Sequence, residues 1–184
     1  IPDVNGYARY GYSATFGDYD KDGFIDLFAT EWRLSDQSGN NQFARHNTRL
    51  LRNQGAGNPG YFEDVTEAAG VSTELIPSSG EELTNSEGFA PRFSDIDRDG
   101  YPDLLLAADH NASRLFWNNG DGTFTDGTVE ANVGTDHNGM GSALGDYDND
   151  GDMDWFVTSI YQEGSSVPGS PLLERDGNRL FEYD

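Results

Sequence analysis

The sequence predicts an all-β fold of three four-stranded antiparallel units, each with an acidic loop between its first and second strands. Three observations carry this. One nine-residue stretch occurs three times, as DYDKDGFID (Asp18 to Asp26), DIDRDGYPD (Asp95 to Asp103) and DYDNDGDMD (Asp146 to Asp154). Each copy follows a glycine-bearing run of small and apolar residues: GYSATFGD, GFAPRFSD or GMGSALGD. Each is followed by a short apolar run rich in branched and aromatic side chains: FIDLFAT, YPDLLLAA or DMDWFVTSI. Such runs read as buried strands, and none has the length or period of a helix.

The loops come first, because the rest aligns on them. Every copy has Asp at positions 1, 3, 5 and 9 and Gly at position 6. Four carboxylates so close repel one another unless a cation sits among them. Gly at position 6 permits the sharp turn that closes such a loop. An all-oxygen donor set suits Ca²⁺ and not Zn²⁺, which takes His and Cys. The candidate ligands are Asp18, Asp20, Asp22 and Asp26; Asp95, Asp97, Asp99 and Asp103; and Asp146, Asp148, Asp150 and Asp154. The start of the pattern is that of an EF-hand loop, but an EF-hand needs Glu at position 12. Here that position is Ala29, Leu106 and Val157. The loops are therefore expected between strands, about three Ca²⁺ ions each pinning a hairpin.

The strand before each loop is short and packed in tight space, since Gly, Ala and Ser alternate with larger groups. After the second strand come a third strand and a turn, read in RLLRNQGAGNPGYFEDVT (from Arg49), SRLFWNNGDGTFTDGT (from Ser113) and PLLERDGNRLFEYD (from Pro171). NNGDGTF is a strong hairpin signal. Long connections fall at 31–48, 71–87 and 160–170. Four-stranded units at this spacing, with insertions confined to certain loops, read as β-propeller blades. The boundaries are 1–70 for the first blade, 71–87 for a connection, 88–130 for the second blade and 131–184 for the third. Three blades do not close a ring of the usual four to eight. The expectation is a part of a larger propeller, or second to that, completion by association of copies.

The order glycine-bearing strand, D-x-D-x-D-G-x-x-D, strand and N-G-D-G-T-F resembles the FG-GAP/VCBS repeat of integrin α subunits and many secreted bacterial proteins. GMGSALGDYDNDGDMDWFVTS and LFWNNGDGTFTDGT are similar to bacterial relatives of cartilage acidic protein, the ASPIC/UnbV group. The resemblance implies that the position-7 carbonyls of Phe24, Tyr101 and Asp152 join the Asp ligands. It also implies an extracellular, cell-surface or periplasmic setting.

Composition narrows the function. The chain of 184 residues has 33 acidic and 11 basic side chains, a formal charge of −22, with Lys21 as its single lysine. That balance excludes nucleic acid and anionic membrane as natural partners. There is no Cys, so no disulfide staples the fold, and metal clips can take that part where Ca²⁺ is millimolar. No run approaches the ~20 apolar residues of a membrane span.

No H-E-x-x-H, G-x-S-x-G or P-loop is present, and His46, His110 and His137 stand apart from one another among loops. The expectation is a non-catalytic recognition, adhesion or scaffold module whose partner is an extracellular protein or glycan. A carbohydrate-binding propeller is the alternative, followed by a polysaccharide lyase or hydrolase. Every long insertion is expected on the rim opposite the Asp loops, where binding loops would sit. There Trp32, at the start of a long loop, and Arg33, Arg45 and Tyr161 are the candidate contacts.

Overall fold

Sheets follow one another along the chain in sequence order. The computed structural model describes residues 8–35, 48–73, 88–109, 113–136, 138–160 and 177–182. The first sheet is β1 (Ala8–Gly17), β2 (Asp26–Ser35), β3 (Thr48–Asn53) and β4 (Phe62–Asp64), in that spatial order. The second is β5 (Gly88–Ser94), β6 (Asp103–Ala108), β7 (Arg114–Asn118) and β8 (Phe124–Asp126). The third holds β9 (Gly139–Gly145), β10 (Asp154–Ser159) and β11 (Arg179–Phe181). All pairs are antiparallel meanders. Among the described residues the one helical element is a single 3₁₀ turn, Gly55–Gly57. The all-β expectation holds, and no helix flanks an Asp loop.

Register makes the three sheets equivalent residue by residue. The row Phe16–Leu27–Leu51 in the first sheet corresponds to Phe93–Leu104–Phe116 in the second and Leu144–Trp155–Phe181 in the third. Call this side of each sheet its front. The next row, Phe28–Leu50, corresponds to Leu105–Leu115 and to Phe156–Leu180, and lies on the back. Side chains alternate across a strand, so one row cannot serve both sides.

Two cores follow. Phe28 and Leu50 from the back of the first sheet meet Leu104, Leu106, Phe116 and Phe93 from the front of the second. Leu105, Ala107 and Leu115 from the back of the second meet Trp155, Val157, Leu144 and Phe181 from the front of the third. Burying each such Leu or Phe is worth about 1.5–3 kcal/mol. The first strands lie beside one another, β1 against β5 and β5 against β9. That is the arrangement of blades whose glycine-bearing strands line the inside of an arc. Gly17 shows why small residues are needed there: a Cβ on it would come 2.7 Å from the Phe93 ring.

Three details differ from expectation. β2 runs on to Ser35, so Trp32 and Arg33 belong to the strand and do not begin a loop. β1 reaches back to Ala8 and pairs with this extension, Ala8 opposite Ser35, which gives the added backbone its hydrogen bonds. In the third sheet the strand beside β10 is Arg179–Phe181, near the end of the stretch from Pro171 in which the sequence places a third strand and a turn. Its Arg-Leu-Phe stands where Arg49-Leu50-Leu51 and Arg114-Leu115-Phe116 stand. The connection after the first sheet starts in the core: Val71 and Thr73 are buried, and Thr48 Oγ1 lies 3.2 Å from Thr73 Oγ1. Arg45, Tyr161, His46, His110 and His137 lie outside the described residues, as do most of the three insertions.

Candidate metal loops

The loops join first to second strands, at the same end of each sheet. Their internal hydrogen bonds repeat three times. The position-6 amide donates to Oδ2 of position 1: Gly23 to Asp18 at 3.0 Å, Gly100 to Asp95 at 3.1 Å and Gly151 to Asp146 at 3.0 Å. The position-5 amide donates to Oδ1 of position 3: Asp22 to Asp20, Asp99 to Asp97 and Asp150 to Asp148, at 3.1–3.2 Å. The position-7 amide donates to Oδ1 of position 5: Phe24 to Asp22, Tyr101 to Asp99 and Asp152 to Asp150, at 2.7–2.9 Å. Each Asp thus spends one oxygen on shaping the turn, the local bonding that short acidic side chains favour.

The backbone is bent twice per loop. Position 6 is left-handed, with φ of 89° at Gly23, 94° at Gly100 and 97° at Gly151. Position 4 is left-handed too, at Lys21 (56°), Arg98 (61°) and Asn149 (66°). A side chain in that conformation carries strain of order 1 kcal/mol or more, so the surrounding hydrogen bonds hold it there.

What remains after these bonds points to a ligand. Oδ1 of Asp18, Asp95 and Asp146 is buried and has no hydrogen-bond partner. A buried carboxylate oxygen without a partner costs about 1–3 kcal/mol or more. The same atom is bare in all three copies. Carboxylate oxygens of Asp18, Asp20 and Asp22 come within 4.8 Å of one another, as do those of Asp95, Asp97 and Asp99, and of Asp146, Asp148 and Asp154. Three acidic clusters are therefore placed to hold metal ions, with an all-oxygen donor set and a bare oxygen in each.

The ninth Asp has a different first task. Asp26, Asp103 and Asp154 are buried, and their Oδ2 accepts the position-2 amide of Tyr19, Ile96 or Tyr147 at 2.9–3.2 Å. Oδ1 of Asp26 and Asp103 accepts the amide of Asn53 (2.8 Å) or Asn118 (2.9 Å) at the end of the third strand. Burial pushes both acids up to about 6 despite those two donors. Position 9 bolts the loop to its sheet. In the first two loops it does not join the cluster formed by positions 1, 3 and 5. In the third, Asp154 joins Asp146 and Asp148, and Asp150 does not.

Sequence reasoning passed over the asparagines. Asn53 Nδ2 donates to the position-8 carbonyl of Ile25, and Asn118 Nδ2 donates to that of Pro102, each at 2.9 Å. Asn118 Nδ2 also reaches the Tyr19 carbonyl, 2.9 Å away in the preceding loop. The signal was available in NQG and NNG, both read only as turns.

Loops also touch their successors. Lys21, at position 4 of the first, lies over the Tyr101 ring at position 7 of the second, 5.1 Å from its centre. Arg98, at position 4 of the second, pairs with Asp152 at position 7 of the third. Arg52 pairs with Asp20 at 2.9 Å. Position-7 rings cover the hairpins on the same rim: a Cβ on Gly55 or Gly120 would come within about 3 Å of Phe24 or Tyr101.

Comparison with known families agrees with this geometry. Residues 95–157 match the model of an FG-GAP-like repeat, spanning the second acidic loop through the second strand of the third sheet. No curated protein matches the chain. Among the described residues no helix is long and apolar enough to cross a membrane.

Proposed function

The chain carries an FG-GAP-like repeat, and from that premise we propose that it is a calcium-stabilised, non-catalytic recognition or scaffold module of β-propeller type, working outside the cell. The observation that carries the metal is the bare, buried Oδ1 of Asp18, Asp95 and Asp146, whose Oδ2 accepts the position-6 amide in every loop. The ion is held by the first, third and fifth Asp in the first two loops and by Asp146, Asp148 and Asp154 in the third, with the carbonyl of Phe24, Tyr101 or Asp152. Asp26 and Asp103 fasten the cage to the sheet. Bound Ca²⁺ neutralises clustered carboxylates, and its role is structural. Partly open, all-oxygen loops suit the millimolar Ca²⁺ of extracellular fluid.

The partner, a protein or a glycan, is proposed to contact the rim opposite the metals. Antiparallel pairing puts the ends of β2, β10 and β4 and the starts of β3 and β5 at that side, and the long connections leave from there. Trp32, Arg33, Arg45 and Tyr161 are the proposed contacts.

Calorimetric titration of chelator-treated protein tests the metal: about three Ca²⁺ ions should bind per chain. Absence of uptake, or the same melting curve with and without chelator, would overturn the reading. A crosslinking map with its contacts on the Asp-loop rim would overturn the partner assignment alone.

A further inference from the structure

Three loops share one motif, yet the strands beside them bring different charges. The register that makes Leu51, Phe116 and Phe181 equivalent puts Arg52, Trp117 and Glu182 at the next position along the strand. The charge at this one place is therefore positive in the first sheet, absent in the second and negative in the third.

Arg52 reaches a carboxylate of the metal cluster. Its Nε lies 2.9 Å from Oδ2 of Asp20, whose side chain is 12% exposed. Oδ1 of Asp20 already accepts the Asp22 amide at 3.2 Å. Both oxygens of the position-3 Asp in the first loop are thus engaged by the protein itself. Among the described residues no basic side chain pairs with the corresponding Asp97 or Asp148. In the third loop the equivalent side chain, Glu182, accepts the hydroxyl of Tyr147 at position 2. It adds a negative charge where Arg52 adds a positive one. The other cations on this rim do not offset the difference. Lys21 lies over the Tyr101 ring, and Arg98 pairs with Asp152, whose side chain is outside the third cluster.

Resting on the calcium reading, we infer that Arg52 is a built-in competitor for the cation of the first loop, which makes that loop the weakest of the three sites. The guanidinium holds Asp20 when Ca²⁺ is scarce and gives up Oδ2 when the ion enters. A positive charge this close raises the dissociation constant of a divalent cation, and the pair withdraws one donor oxygen while it lasts. The first loop therefore fills last as Ca²⁺ rises and empties first as it falls. Without Ca²⁺ the same pair relieves the repulsion among Asp18, Asp20 and Asp22.

Calorimetric titration of the chelator-treated chain at fixed ionic strength tests this. The native chain should show two tighter steps and one weaker step. Arg52→Ala should tighten the weakest step by about threefold to tenfold and leave the other two within about twofold. Glu182→Arg puts a guanidinium at the equivalent place of the third sheet and should weaken a second step by a similar factor. Asp18→Asn assigns the effect to its loop. It should remove the weakest step, and adding Arg52→Ala to it should leave the two remaining constants as they were. Circular dichroism checks that each variant folds. An Arg52→Ala chain with native constants, or a tightening that persists beside Asp18→Asn, overturns the inference and leaves the calcium reading standing. A native chain that takes up no Ca²⁺ overturns the calcium reading, and the inference falls with it.

Discussion

The second and third sheets carry the same loop and differ in what covers them. Gly100 donates to Asp95 at 3.1 Å, and Gly151 to Asp146 at 3.0 Å. Ile96 donates to Asp103 at 2.9 Å, and Tyr147 to Asp154 at 3.0 Å. Yet Ile96 is buried and Tyr147 is half exposed, and Leu105 is buried where Phe156 is open. Loop geometry is thus a local product of nine residues and the strand ends that hold them. Burial of the sheet faces is a product of neighbours. Metal binding and blade packing should therefore respond to different perturbations.

The largest separation comes from removing Ca²⁺. Three sites, each saturated at about 100 times its dissociation constant, contribute roughly 8 kcal/mol together. Chelation should lower the melting temperature by about 20 °C for a chain of this size. Scanning calorimetry with and without chelator measures it, and an unchanged transition would break the link between loops and stability.

Next come substitutions in the covered second sheet. Asp103→Ala leaves the amides of Ile96 and Asn118 without their acceptor and should cost about 2–5 kcal/mol in urea unfolding, with chelator present as well as without. Leu105→Ala should cost a similar 2–5 kcal/mol through the cavity it leaves. Phe156→Ala, at the equivalent place in the third sheet, should cost below about 1 kcal/mol. Equal losses for the last two would contradict the greater exposure of Phe156.

One pH effect belongs to packing and comes from a group outside the loops. Asp136 is buried beside Ser113, whose hydroxyl donates to it at 2.7 Å, and its second oxygen has no hydrogen-bond partner. Burial raises it to about 6, against the Ser113 hydrogen bond and the charges of Arg179 and Arg114. The folded state holds this proton more tightly than the unfolded state. Stability from this group is therefore full below about pH 4 and falls as pH rises through about 6, by up to roughly 3 kcal/mol. In saturating Ca²⁺, Asp136→Asn should flatten that slope between pH 4 and 6.

Much of this was legible, because the repeat is written in fixed spacing. Asp at positions 1, 3, 5 and 9 with Gly at 6 gave the loops, and the apolar runs after them gave the strands. What stayed hidden depends on partners distant in sequence. The stretch from Pro171 to Asp184 reads as a third strand and a turn, without showing where the strand begins. Only pairing with β10 shows that Arg179 begins that strand, as Arg49 and Arg114 do. Glu31-Trp32-Arg33 looked like a loop because its polar character hides an extension that β1 hydrogen-bonds from the far side. The division of labour between first and ninth Asp was also out of reach. Both are the same residue in one motif, and only the backbone donors from Asn53 and Asn118 separate bolt from ligand.

Asp95→Asn tests the central claim most directly. Asn can keep its oxygen on the Gly100 amide, so the turn survives. Its NH₂ then replaces the bare oxygen, and an amide donor cannot ligate a cation. Calorimetric titration of this variant should find two Ca²⁺ ions per chain where the native protein takes three, with the circular dichroism spectrum unchanged. Three ions bound with native affinity would contradict the account.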